Sequence, residues 1–424
     1  MARIVIASWG SYGDAYPYIG LAIELHRRGH QPVVAMPPLF RSLVERERLL
    51  FHAVRPDLDI SDRGFAARVM DPARGPEVIF GEALIPHLAE THADLMQAAE
   101  GADAIVTHPA TPAAVIVAEE RRLQWISTVL APMSFFSVFD PVAPPPAPWL
   151  QPWLARAPGL SRGFMWLTDR ITRKWAEPIQ QFRLSRGLAR SANPILTGQH
   201  SPRLVLAMFS RVLAEPQPDW PRQVRITGAP LYNGAQDSSL APELEAFIGD
   251  GEPPIVFTLG TSAVAAAGRF YEIGADAAAR LDRRVVLLVG PYPENRPSRA
   301  SARVYLAEFA PHAALFPRAS LIVHQGGIGT LHQGLAAGRP MLIVPHAHDQ
   351  PDNARRAAAL GVARSLSPRR CTSTTLAREL SALLSGAYTE RAKVVASKVR
   401  SEHGASAAAG AITRALTEGE ATGR

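Results

Sequence analysis

Cysteine is almost absent from this chain; Cys371 is the only one. No internal disulfide can form, and no cysteine-based zinc site can be assembled. Lysine is nearly as scarce, with Lys174, Lys393 and Lys398 the only three among 45 basic residues. The net charge of +7 is therefore carried by arginine. An arginine surplus suits phosphate recognition, and it equally accompanies GC-rich coding. No basic run of nucleic-acid type occurs, so no nucleic-acid partner is expected. Long hydrophobic runs are also missing, and none approaches the roughly 18 residues of a membrane span. The opening "MARIVIASWG" has neither the apolar core nor the cleavage site of a secretory signal. A cytoplasmic protein is the expectation.

What is present is alternation. The 424 residues suit two or three domains of about 100–200 residues. Short apolar runs read as strands at 3–7, 31–36, 104–108, 125–129, 203–208 and 224–228. Between the first two, Ile19, Ala22, Ile23 and Leu25 keep helical spacing and Gly29 closes the helix. A second series follows at 255–260, 284–290, 304–309, 321–325, 341–345 and 362–366. Continuous apolar strands separated by helices predict parallel sheets covered on both faces. The fold class is thus α/β, with two Rossmann-like domains facing across a cleft. The expected division is residues 1–230, a Gly/Pro/Asp/Ser-rich linker at 231–254, and residues 255–424, with the last helix packing back on the first domain. No fine internal repeat is visible. Residues 139–175, full of proline and aromatics, break the alternation and read as a long loop followed by helix.

The chemistry concentrates in "LIVHQGGIGTLHQGLAAG" (321–338). A strand ends in His324 and Gln325, glycines follow, and a helix begins. Glycines allow close backbone approach, and the free N–H groups of a helix start form an anion site. His324 can donate to the same anion. The spacing is not the dinucleotide G-x-G-x-x-G and does not follow the first strand. Gly260, Thr261 and Ser262, at the end of the strand at 255–260, could meet the other side of a diphosphate.

The stretch "FAPHAALFPRASLIVHQGGIGTLHQGLAAGRPMLIVPHAHDQPDNARR" resembles the nucleotide-sugar signature of the UDP-glycosyltransferase family, which has the two-domain GT-B fold. "GSYGDAYPYIGLAIELHRRGH" and "EPQPDWPRQVRITGAPL" extend the likeness over nearly the whole chain. Among bacterial members the resemblance is closest to the rhamnosyltransferase of rhamnolipid synthesis; sterol and polyketide-aglycone enzymes are more distant. By this resemblance His324 contacts the diphosphate, and Gly326, Gly327, Gly329 and Thr330 cradle it, with Thr261 or Ser262. Phe309 and His312 meet the base. His332 stands where plant members carry a ribose-binding glutamate, which leaves dTDP and UDP both open. Asp349 and Gln350 match the pair that binds the sugar.

Asp14 matches the base that takes the acceptor's proton. It is also a good helix cap, and the two roles can coexist. His108 is the reserve base. Trp149 and Trp153 of the insert, with Ser134 and Phe135 before it, are the expected acceptor wall. Arginines among the aromatics suit a carboxylate or peripheral contact with the inner membrane surface. No metal and no cofactor beyond the donor are implied. Asp57 and Asp59 mimic the D-x-D metal motif of the other major glycosyltransferase fold but lie in a polar loop far from the glycines. His346, His348, Asp349 and Asp352 suggest a ligand cluster, though the sugar match accounts for Asp349. The expected activity is inverting, metal-independent transfer of a hexose or deoxyhexose to an apolar hydroxylated acceptor, a hydroxy-lipid first and a polyketide, sterol or other aglycone second. A nucleotide-sugar epimerase or a non-catalytic sugar-nucleotide-binding subunit is the reading from a different class.

Overall fold

A computed structural model describes residues 1–58, 62–232, 234, 239–298 and 301–422, with the side chains of Ser262 and residues 419–422 outside that description. Two fully parallel sheets organise it. The first contains β1 (Arg3–Ala7), β2 (Gln31–Met36), β3 (Leu50–Ala53), β4 (Ala104–Thr107), β5 (Gln124–Val129), β6 (Leu204–Ala207) and β7 (Val224–Ile226), in the order β3-β2-β1-β4-β5-β6-β7. The second contains β8 (Ile255–Thr258), β9 (Val285–Leu288), β10 (Val304–Ala307), β11 (Leu321–His324), β12 (Met341–Ile343) and β13 (Ala363–Ser365), in the order β10-β9-β8-β11-β12-β13. The central strands are apolar throughout because helices cover both faces. Ile4, Val5 and Ile6 of β1 and Val285, Val286 and Leu287 of β9 are all fully buried.

The strand order reverses between β1 and β4 in one sheet and between β8 and β11 in the other. In open α/β sheets ligands bind beyond the strand ends at such switch points. His108 follows β4, and Gly260 and Gln325 follow β8 and β11. The candidate residues therefore converge for a topological reason.

The final helix, Gly404–Thr422, returns to the first sheet. Ala408, Ala409, Ile412 and Leu416 join Ile19, Leu21 and Ala22 in one core. The insert folds as the short helix Gln151–Arg156 and the 28-residue helix Pro158–Ser185.

One strand lies outside the sequence reading. β3 is an edge strand with no fully buried residue, and Leu50 is exposed. Such a strand carries little apolar signal. Several expected strands also end one or two residues early, where the chain turns into loops.

Candidate active site

The helix Tyr12–Arg27 begins at the end of β1 with a capping box. Ser11 Oγ accepts from Gly13 N–H at 3.2 Å, and Ser11 N–H donates to Asp14 Oδ2 at 2.8 Å. Ser11 Oγ also donates to Asp14 Oδ2, at 2.9 Å. The other carboxylate oxygen, Oδ1, lies 3.5 Å from His108 Nε2. His108 Nδ1 accepts the Ala110 N–H at 3.0 Å, so the neutral ring carries its proton on Nε2, facing Asp14. Burial alone would raise the Asp14 pKa. The hydrogen bond from His108, with the Ser11 donors, outweighs it and holds the carboxylate below its usual range. One ring nitrogen of His108, the reserve base, is thus capped and the other faces the Asp14 carboxylate.

Across the cleft, the helix Ile328–Ala337 starts at Gly327. Gly326 has φ +93°, and a β-carbon there would lie 2.7 Å from Ile343 Cγ2, so only glycine fits. Its N–H donates to His324 Nδ1 at 3.0 Å. The opposite nitrogen, Nε2, is buried without a partner. Burial and the neighbouring His312 push the His324 pKa down to about 3. His324 is thus a neutral ring with one unsatisfied N–H, which is what a phosphate oxygen would meet. A β-carbon on Gly260 would lie 2.6 Å from Gln325 Nε2 and 3.6 Å from Thr330 Oγ1. The loops after β8 and β11 therefore meet at one point. Thr261 lies in the short helical turn Gly260–Ala263; the side chain of Ser262 lies outside the description. Gln325 is 3% exposed with its Oε1 unpartnered. Sequence reasoning passes over it because a glutamine between a histidine and a glycine carries no distinctive signal.

Other expected donor residues divide. Phe309 is 62% exposed and free to stack on a base. His312 already stacks on Phe316 with centroids 4.3 Å apart, and burial lowers its pKa to about 4. His332 does not face the cleft with a free nitrogen. Its Nε2 accepts the Ser210 N–H at 3.1 Å and its ring bonds the Ile328 backbone, so in this arrangement it pins the two halves together rather than offering a ribose contact.

Asp349 opens the helix Gln350–Ala359. Its Oδ2 accepts from Asn353 Nδ2 at 2.7 Å, and the same nitrogen donates to the Gly326 carbonyl at 2.9 Å. Gln350 Oε1 accepts the N–H groups of His346 and Ala347 at 2.8 and 3.2 Å. Burial, with the nearby Asp14 charge adding to it, raises the Asp349 pKa from 3.8 to about 7. A raised carboxyl pKa stabilises the fold fully below about pH 4, and that contribution is lost as pH rises through about 7. Asp349→Asn is therefore expected to raise the melting temperature above pH 7 and to leave it unchanged below pH 4. Parallel melts across that range check this; an equal shift at both ends would exclude titration as the cause.

A small recess, with inner room for about one water molecule, lies at the ends of β1, β2 and β4. Ala35, Val54, Leu84, Leu88 and Leu95 make it mainly apolar, with Ser8, Trp9, Arg55, Thr91 and Thr111 adding polar edges. Its lining includes Ser8, whose Oγ donates to the Asp14 carbonyl, and Ala110, whose N–H holds His108. None of the four residues expected to form the acceptor wall lines this recess. Trp149 and Trp153 are 68% and 62% exposed and do not line this recess. Phe135 stacks on Trp220 with centroids 4.0 Å apart, and the Ser134 backbone is bonded by His200. These two belong to a packed aromatic layer beside β5 and β6. The prolines around the tryptophans mark an irregular segment but do not say which way it faces.

Among the described residues, no group of three or more His, Cys, Asp or Glu side chains is arranged to hold a metal ion, and no helix is long and apolar enough to cross a membrane. Asp59 of the D-x-D stretch lies outside the described residues.

Known proteins share this arrangement. A family model for the "Erythromycin biosynthesis protein CIII-like, C-terminal domain" matches residues 253–418. O-mycaminosyltylonolide 6-deoxyallosyltransferase of Streptomyces fradiae is 33% identical over 375 residues, spanning 85% of this chain and 84% of that protein. The crystal structure of the glycotransferase of kitacinnamycin superposes with a TM-score of 0.75 at 21% identity, over 98% of this chain and 99% of the other. That of glycosyltransferase VinC in complex with dTDP does so with a TM-score of 0.69 at 19% identity, over 98% and 100%. Two parallel α/β sheets with a nucleotide-sugar signature at their switch points define a GT-B glycosyltransferase. The chain belongs to the erythromycin-CIII-like family of these enzymes and is a nucleotide-sugar-dependent hexosyltransferase. The expected likeness to the rhamnolipid rhamnosyltransferase is not supported; the likeness is to macrolide and polyketide glycosyltransferases.

Proposed function

We propose that the enzyme transfers a hexose or deoxyhexose, with inversion, from a dTDP- or UDP-sugar to a hydroxyl of an apolar natural-product aglycone. One observation supports this reading: the Asp14–His108 pair faces the glycine-rich helix start, where a β-carbon on Gly329 would lie 3.6 Å from Gly13 Cα. The aglycone would present its hydroxyl to Asp14. Its oxygen attacks the anomeric carbon as the carbon–phosphate-oxygen bond breaks. The bonding pair leaves with the diphosphate, and the hydroxyl proton passes to the Asp14 carboxylate. Attack from the side opposite the leaving group inverts the anomeric centre. Charge growing on the diphosphate meets the N–H groups at the start of Ile328–Ala337, the Thr330 hydroxyl and the His324 Nε2–H. Asp349 and Gln350 would hold the sugar's hydroxyls. The polyketide reading takes precedence over the hydroxy-lipid one because the relatives found act in that chemistry by name, and VinC was crystallised with dTDP.

The test is incubation with labelled dTDP- and UDP-hexoses against a panel of macrolide and polyketide aglycones and hydroxy-fatty acids. An aglycone glycoside of inverted anomeric configuration is expected. Product from the lipids alone, or retained configuration, would sink the proposal.

A further inference from the structure

The helix that begins with Asp349 and Gln350 is gripped from the opposite half of the molecule. One turn on, Asp352 is fully buried. Its Oδ1 accepts the Ala143 N–H at 3.2 Å and Arg355 Nη2 at 3.0 Å, and its Oδ2 accepts Arg356 Nε at 2.7 Å. Arg356, 5% exposed, donates from Nη1 to Asp140 Oδ2 at 2.6 Å and to the Leu213 carbonyl at 3.1 Å. Arg355 Nη2 reaches Asp140 Oδ1 at 3.1 Å. Two carboxylates thus balance two guanidiniums, and each charged group has at least two partners. The segment bearing Asp140 is itself fixed, because Asp219 accepts from Ser137 Oγ and Val138 N–H, each at 2.7 Å.

We propose that Asp140 is a positioning residue for the donor's sugar. Through Arg355 and Arg356 it sets the orientation of the helix whose first turn presents Asp349 and Gln350. Asn353, one turn on in the same helix, donates to the Asp349 carboxylate and so holds it within that turn. A buried pair of this kind is costly to break because the remaining charge is left unpaired. It is only a modest source of stability when intact, so its value lies in geometry. The inference rests on the reading that Asp349 and Gln350 bind the sugar. It adds that their placement depends on a carboxylate over two hundred positions away in the chain, outside the donor half.

The experiment compares wild type, Asp140→Asn and Asp140→Glu in the full-length protein, using calorimetry and steady-state kinetics. The ligands are the free nucleoside diphosphate, dTDP or UDP, and the matching nucleotide-hexose. Free diphosphate touches only the glycine-rich loop and should bind Asp140→Asn within about twofold of wild type. The nucleotide-hexose should lose about tenfold in affinity, with kcat about tenfold lower and the acceptor KM unmoved. Asp140→Glu, which can reach both arginines, should recover most of the loss. If Asp140→Asn fails to fold, Arg355→Gln removes the partly exposed arm of the bridge, and the same split is expected at smaller size. Equal losses for both ligands, or no rescue by glutamate, would mean a merely structural role and would overturn the proposal, as would wild-type constants in Asp140→Asn. A wild type that binds no nucleotide at all would overturn the reading of the donor site itself, and this inference with it.

Discussion

Asp14→Asn is expected to lower kcat by about 10²–10⁴, the usual worth of a positioned general base, and to leave nucleoside diphosphate affinity within about twofold. The two effects separate because Asp14 sits on the N-terminal half, while the anion site is built by loops after β8 and β11. The fold should hold. Ser11 N–H and Oγ both donate to one carboxylate oxygen, and an asparagine oxygen can accept both. The new amide nitrogen would face the protonated Nε2 of His108, so the imidazole loses its partner and some melting temperature with it. The depressed pKa of Asp14 makes it a weak base at equilibrium. It needs only to take the proton as the acceptor oxygen bonds to the sugar, when that proton becomes strongly acidic. Low pKa has a second consequence: Asp14 stays ionised well into acid, so its own limb of the rate profile lies below the usual carboxylate range. Single-turnover kinetics with calorimetry checks both halves. Retention of more than about a tenth of wild-type turnover would remove Asp14 as the base.

The two α/β halves are legible because strands buried on both faces spell uninterrupted apolar runs. β3 is not, because an edge strand buries little. The site divides by the range of its interactions. The glycine-rich loop is local, so spacing alone exposes it. Asp14 reads as an ordinary cap until the family resemblance gives it a second role. His108 reads as a titratable side chain at a strand end, but its tautomer is set by a bond from Ala110 N–H. No pattern of residue types encodes that bond. Trp149 and Trp153 stand out by composition, yet whether an aromatic lines a pocket or faces water depends on what packs against it. Asp140 and Arg356 lie too far apart for any local rule to join them.

Gly329→Val is expected to abolish donor binding while leaving the fold intact. Gly329 is the second residue of Ile328–Ala337, and a β-carbon built on it has no neighbour closer than Gly13 Cα at 3.6 Å and the Gly13 carbonyl at 3.8 Å. Alanine is therefore tolerated by contact distance alone. Valine adds methyl groups about 1.5 Å further out, and carbon pairs prefer about 3.5–4.0 Å. Those methyls must push the two helix starts apart or occupy the space between them. That space is where the positive ends of Tyr12–Arg27 and Ile328–Ala337 converge, with Asp14 on one side and Asp349 on the other. A diphosphate held there needs backbone N–H groups within hydrogen-bond reach, and a β-branched side chain denies that approach. The loss should be at least about 100-fold in nucleoside diphosphate affinity, or about 2.8 kcal/mol. Stability should not follow, since valine is at least as good a helix residue as glycine. Gly326→Ala provides the contrast. Positive φ and the Ile343 and Gln350 contacts make it costly to the fold as well as to binding. Calorimetric titration with dTDP and UDP, beside thermal melts of both variants, separates the cases. Unaltered nucleotide affinity in Gly329→Val would mean that the diphosphate does not sit at this helix start.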